Sequence, residues 1–205
     1  MGNCCVKKLV IFLSVFCLSF ATMAKADTVN MVFDGTTSGL SNGTVMYGPY
    51  GITANGTSLN NAFCISASDE IVANETWQAT TASATSSQQY QMAAYVLSQF
   101  NGSNNAAVSD ALWNLFDSSY DISSDSGAIS LLAAANNNAT LTAFVNSGQA
   151  ANYTIYKYNN GTSSSGSAAQ DFIAYTGETP EPSSLLLLGS GLAGVALYIR
   201  RRLGV

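Results

Sequence analysis

Apolar and polar residues change their rhythm three times along this chain. From residue 27 onward, "DTVNMVFDGTTSGLSNGTVMYGPYGITANG" mixes β-forming residues with Gly, Asn and Ser turns, a pattern that predicts short strands and hairpins. "NNAFCISASDEIVANETWQATTAS" reads as strand, loop, strand. The period then becomes helical. In "SSQQYQMAAYVLSQFNG", Tyr90, Ala93, Ala94, Leu97 and Phe100 share one face and Gly102 closes the end,. "NNAAVSDALWNLFDSS" places Val108, Leu112, Leu115 and Phe116 inward, and "GAISLLAAANNNATLTAFVNSG" supports one or two further helices. Alternation returns in "ANYTIYKYNN" and "AQDFIAYT", two strands separated by "GTSSSGS",. No internal repeat of solenoid or propeller length is present. Strands, an inserted helical segment and strands again predict a single α+β domain, β-rich and sandwich-like, over residues 27–176,.

The two ends follow a different logic. Lys7 and Lys8 precede the apolar run "LVIFLSVFCLSFATMA", and Ala24 to Ala26 supply the small residues a signal peptidase needs,. Residues 1–26 are therefore expected to be a signal peptide, cut before Asp27. At the other end, Ser183 to Ile199 carry no charge, which at ~1.5 Å per residue is about 25 Å of helix, the short limit for a bilayer. Arg200, Arg201 and Arg202 follow at once and hold that side in the cytoplasm. The chain thus divides into an exported domain, a linker with Pro180, Glu181 and Pro182 over 177–182, a transmembrane helix over 183–199 and a basic tail over 200–205.

These segments change what the composition means. Of four cysteines, Cys4, Cys5 and Cys17 lie in the signal peptide, leaving Cys64 alone in the exported part. It cannot form an internal disulfide; a buried small hydrophobe, an intermolecular disulfide and a reactive thiol all fit. All 12 acidic residues fall between Asp27 and Glu181, where Lys157 is the only basic one, giving that segment a net charge of −11. Such a field excludes nucleic acid as a partner. The chain has no His, which removes Ser-His-Asp and Cys-His catalysis and His-ligated zinc.

The Pro-Glu-Pro box, the Leu- and Gly-rich span and the terminal Arg cluster resemble the PEP-CTERM sorting signal of Gram-negative bacteria. The resemblance implies recognition and removal of the tail by an exosortase, a membrane cysteine protease, and release to the cell surface or extracellular matrix. A second resemblance spans roughly Phe63 to Thr176. The order "FC", "ETWQA", "AAYVLSQFNG", "DALWNLFD" and "QDFIAYT" is similar to the thioester-forming surface domains of bacterial adhesins. That family joins a Cys on an early strand to a Gln upstream of an Ala-aliphatic-Trp triplet. Cys64 matches the cysteine, and Ala111, Leu112 and Trp113 match the triplet, but Ser109 stands where the Gln belongs. Serine has no carboxamide to acylate, so the resemblance implies the fold without its covalent chemistry unless another residue, such as Gln89 or Gln91, substitutes.

Other sites remain open on the sequence. Asp69, Glu70 and Glu75 lie close enough in the chain to raise glycoside hydrolysis by paired carboxylates,, though adjacent Asp69 and Glu70 would point to opposite sides of a strand and solvated loop acids are the better reading. Asp117, Asp121 and Asp125 sit four residues apart among Ser hydroxyls, a spacing that suits helix capping and, less well, calcium. Tyr47, Tyr50, Tyr156 and Tyr158 are candidates for stacking on sugars if exposed. The sequence thus predicts a surface or exopolysaccharide-associated matrix protein with a structural or adhesive role. It would need no cofactor or resident metal and would have exosortase, signal peptidase and the membrane as processing partners. A covalent Cys-Gln adhesin and a glycan-active envelope enzyme are the alternatives.

Overall fold

The computed structural model describes residues 28–36, 41, 45–67, 71–159 and 169–177. The expected signal peptide, the Pro-Glu-Pro box, the expected transmembrane span, the Arg cluster, Asp69, Glu70 and "GTSSSGS" lie outside the described residues. Among the described residues no helix is long and apolar enough to cross a membrane.

The domain is α+β, as the sequence predicts, but its sheet is a barrel where a sandwich was expected. The strands are β1 (Thr28–Thr36), β2 (Tyr50–Ala54), the two-residue β3 (Thr57–Ser58), β4 (Asn60–Cys64), β5 (Thr76–Ser83), β6 (Tyr153–Tyr158) and β7 (Phe172–Tyr175). They pair in the order β1-β5-β6-β7-β4-β2, all antiparallel, and β1 pairs again with β2, so six strands close on themselves. The physical reason is that β1 serves both edges. Its register shifts between Phe33 and Gly35, where Gly35 adopts φ 121°. A bulge of this kind bends a strand and tightens its twist, as closure requires. A second irregularity falls between Asn60 and Phe63, with Asn61 at φ 49°.

Between β5 and β6 the chain forms α1 (Gln88–Ser98), α2 (Asn105–Phe116), α3 (Ser126–Ala135) and α4 (Asn138–Asn146). Side-chain caps set where they start. Ser87 accepts from Tyr90 N, Asp125 from Ala128 N, and Asn137 from Ala139 N and Thr140 N, each satisfying an otherwise orphan donor. Asn104 instead ties the α1–α2 turn, accepting from Asn101 N and donating to Gln99 O. Gly102 and Gly148 supply the left-handed backbone, at φ 85° and 78°.

Strand alternation divides the apolar residues into two cores. Phe63, Ile65, Ile155 and Ile173 face outward and pack with the helices, alongside Val96, Leu97, Val108 and Leu112. Met31, Ile52, Cys64, Trp77, Tyr156 and Phe172 face the barrel interior. Leu112 is fully buried in the helix layer. Leu112→Ala is expected to cost about 2–5 kcal/mol through lost burial and the cavity left behind, read as a lowered urea midpoint at unchanged m-value. A change below about 0.5 kcal/mol, the size typical of surface substitutions, would show that α2 is not fixed by this contact.

Candidate functional site

The joint between α2 and the barrel gathers most of the residues singled out in the sequence. Asn105 and Ser109 lie one turn apart and are both buried. The Ser109 hydroxyl accepts from Gly48 N at 3.1 Å, and Asn105 Nδ2 donates to Gly48 O at 2.7 Å. Both polar atoms of Gly48 are thereby satisfied from one helix face. Gly48, which precedes Pro49 through a cis peptide bond, has no room for a side chain: a Cβ would sit 2.5 Å from Phe63 Cδ1. Ser109 therefore has a defined structural task, anchoring the β1–β2 connection to α2.

Cys64 is reached from the other side of the same strand. Phe63 and Ile65 point to the helices, and Cys64 between them points into the barrel. It is a buried thiol whose Sγ donates to Ser66 O at 2.9 Å and accepts from Ser66 N at 3.2 Å. Ser66 Oγ in turn accepts from Asp171 N, while Asp171 Oδ1 accepts from Tyr158 N at 2.7 Å. This network staples β4, β6 and the entry to β7. The two substitute glutamines also have structural partners: Gln89 Nε2 donates to Leu115 O and Gln91 Nε2 to Thr85 O.

One turn beyond Ser109, an acid–phenol pair sits against stacked aromatic rings. Trp113 packs against Tyr47 with ring centroids 5.8 Å apart and against Tyr120 at 5.3 Å. Tyr120 OH donates to Asp110 Oδ1 at 3.0 Å. Burial pushes the Asp110 carboxyl up from its ordinary value, against the Tyr120 hydrogen bond, and nearby Asp125 pushes the same way. Burial likewise raises the Tyr120 hydroxyl, reinforced by Asp110. The sequence reading missed this pair. Asp110 and Tyr120 stand ten residues apart across a helix end, and no spacing rule joins them.

The three proposed calcium acids do separate local work. Asp117 accepts from Ser119 Oγ and N, Asp121 from Ser123 N, and Asp125 caps α3. The Ser119 hydroxyl holds the Asp117 carboxyl below the usual range, and the Ser123 N–H does the same for Asp121. Among the described residues no three potential metal ligands converge. Glu75, raised as a hydrolytic acid, is buried, and its Oε2 accepts from Val72 N at 2.9 Å. Of the tyrosines considered for sugar stacking, Tyr50 and Tyr156 belong to the barrel interior, and Tyr50 OH donates to Met46 O.

The family comparison concerns the tail. The PEP-CTERM protein-sorting motif matches residues 178–202, which include Pro180, Glu181, Pro182 and Arg200 to Arg202. No curated protein and no solved structure matches the chain. The motif implies an exported protein, sorted at the membrane by an exosortase to the cell surface; the family of the folded domain is not identified.

Two outcomes follow from the joint. Ser109→Ala leaves Gly48 N–H buried without its partner and is expected to cost about 1–3 kcal/mol, measured by urea unfolding; an unchanged midpoint would remove the clasp from the account. Folding favours the protonated form of Asp110, so its contribution is fully present below the ordinary Asp value of ~3.9 and is lost as pH rises through its raised value. The stability difference between the wild-type protein and Asp110→Asn should therefore fall as pH is raised above about 4, and a flat difference would contradict it.

Proposed function

We propose that the exported domain is a non-catalytic, non-covalent structural or adhesive component of the cell surface or the exopolysaccharide matrix. The observation that carries this reading is the sorting motif at residues 178–202, which follows directly on a domain with the polar Asn, Ser and Thr composition of an envelope protein. Exosortase and signal peptidase are its processing partners, and the membrane holds it only in transit.

Three features support a non-covalent role. The position of the family's thioester Gln is Ser109, whose hydroxyl serves Gly48; Gln89 and Gln91 are hydrogen-bonded to main-chain carbonyls; and Cys64 lies inside the barrel. The absence of His and the structural employment of Glu75 favour binding over hydrolysis. Neither a cofactor nor a metal enters this reading.

The test is an intact mass of the protein recovered from its native host, before and after a thiol reagent. The expected product lacks residues 1–26 and Arg200 to Arg202. Its Cys64 is untouched in the folded state and fully labelled in denaturant. Retention of the Arg tail would make the protein a permanent membrane anchor. A mass short by one ammonia, with a thiol blocked even in denaturant, would restore the covalent adhesin.

A further inference from the structure

The barrel is filled unequally along its axis. At one end aromatic rings close it: Phe33 against Tyr50 at 6.0 Å, and Phe172 against Tyr50 at 5.7 Å and Trp77 at 5.8 Å. Towards the other end the inward positions of β4, β5 and β7 are Ala62, Ala79 and Ala174, each with no exposed surface. Two residues further along these strands, Asn60, Thr81 and Thr176 line a hollow of about 460 Å³, within the ~300–1,000 Å³ of small-molecule sites.

Each of the six barrel strands, or its immediate end, contributes one lining residue: Val29, Ala54, Asn60, Thr81, Tyr156 and Thr176. The hollow is therefore the open end of the barrel. Asn55, Thr57, Ser58, Leu59 and Tyr175 also line it. Two local backbone irregularities lie at this end. Asn55 adopts φ 49° in the β2–β3 turn, with its side chain accepting from Asn30 N, and Asn61 adopts φ 49° at the β4 irregularity. Bulges at barrel rims commonly re-aim side chains at binding sites.

The lining decides the chemistry. Among the described residues the lining contains no Asp, Glu, Lys or Arg, so none of these neutralises an ionic ligand. In an exported segment of charge −11, an anion meets repulsion as well. Amides and hydroxyls both donate and accept hydrogen bonds, the capacity that sugar hydroxyls require. The remaining element is an aromatic plate. Tyr175 stands on the outward side of β7, with Ile173 and its cross-strand partner Tyr153, at the rim beside the mouth; it is 40% exposed, and Tyr153 holds its ring edge-on at 5.4 Å. Gly177, at φ 44°, lies so close that a Cβ there would meet the ring at 2.9 Å. A tyrosine fixed on two sides and open on a third is ordered before any ligand arrives, which lowers the cost of binding.

We propose that the barrel mouth binds a neutral saccharide segment, with Tyr175 as the stacking plate and Asn60, Thr81 and Thr176 among the hydrogen-bonding groups. This rests on the proposed role at the polysaccharide-bearing surface and names the ligand class for it.

The test uses the processed protein from the native host, titrated calorimetrically with cellotetraose, maltotetraose and mannotetraose, and with tetragalacturonate as an anionic counterpart. At least one neutral tetrasaccharide should bind, and tetragalacturonate should not. Tyr175→Ala should weaken that binding roughly tenfold, and Thr81→Trp, which fills the mouth, should abolish it. Should Thr81→Trp fail to fold, Asn60→Leu at the rim takes its place and should also weaken binding. No heat with any neutral glycan, or binding indifferent to the Tyr175 and mouth variants, overturns the proposal. Preferred binding of tetragalacturonate overturns it as well. Cell fractionation separates this from the broader reading: a protein found at the surface without glycan binding sinks only the mouth site. A protein absent from surface and matrix sinks the role on which the site rests.

Discussion

Everything in this domain depends on a strand having two faces and on both faces being buried. In β4, Phe63 and Ile65 go to the helices while Ala62 and Cys64 go to the barrel interior. The same division runs through β6, where Ile155 and Tyr156 part company. A one-residue slip would exchange the two sets, pushing Phe63 into the barrel and Cys64 towards the helices. Register is thus specified from both sides at once, and the helical layer can sit only where β4, β6 and β7 turn their outward residues.

The clasp at Gly48 follows from this arrangement. Phe63, once aimed outward, occupies the space that any side chain at position 48 would need. The chain passing over it must be glycine, and its peptide polar groups are then removed from water. Asn105 and Ser109 answer that requirement from α2. This gives a physical account of a serine where the adhesin pattern has glutamine. Nucleophile and acyl partner need to meet across a gap, whereas here the helix position is engaged with the backbone and the thiol turns inward. Cys64, Ser109 and the Ala111-Leu112-Trp113 triplet are the positions that carry the resemblance; in α2 Ser109 and the triplet are all buried, but they run round the helix and do not share one face. The face of Asn105 and Ser109 holds the β1–β2 connection.

The order and type of the elements were legible because their signals are local. Period-two runs gave β1, β2 and β4 to β7, and period-3.6 runs gave α1 and α2. "GAISLLAAANNNATLTAFVNSG" resolved into α3 and α4 because Asn137 can cap a new start where three asparagines interrupt the apolar run. Closure was not legible. Whether β1 finds one neighbour or two depends on a register shift between Phe33 and Gly35, and a glycine in a strand announces an irregularity without saying what it joins. The same limit applied to the tyrosines. Tyr50 and Tyr156 carry the residue type of a sugar platform, but strand parity and barrel closure together turn them inward, whereas Tyr175 lies at a rim that exists only once the barrel is closed.

β1 begins and β7 finishes at one end of the barrel, and Val29 and Thr176, near those two ends, line the mouth; the described residues end at Gly177. The matched motif begins at the next residue, 178. The aromatic rings and the Asp171 network lie towards the other end of the barrel. Small residues are concentrated instead where the chain enters and leaves. A barrel filled by rings towards one end offers a ligand the other end, where it can replace water without displacing those core side chains. In this protein that is the end at which β7 finishes, just before the matched motif.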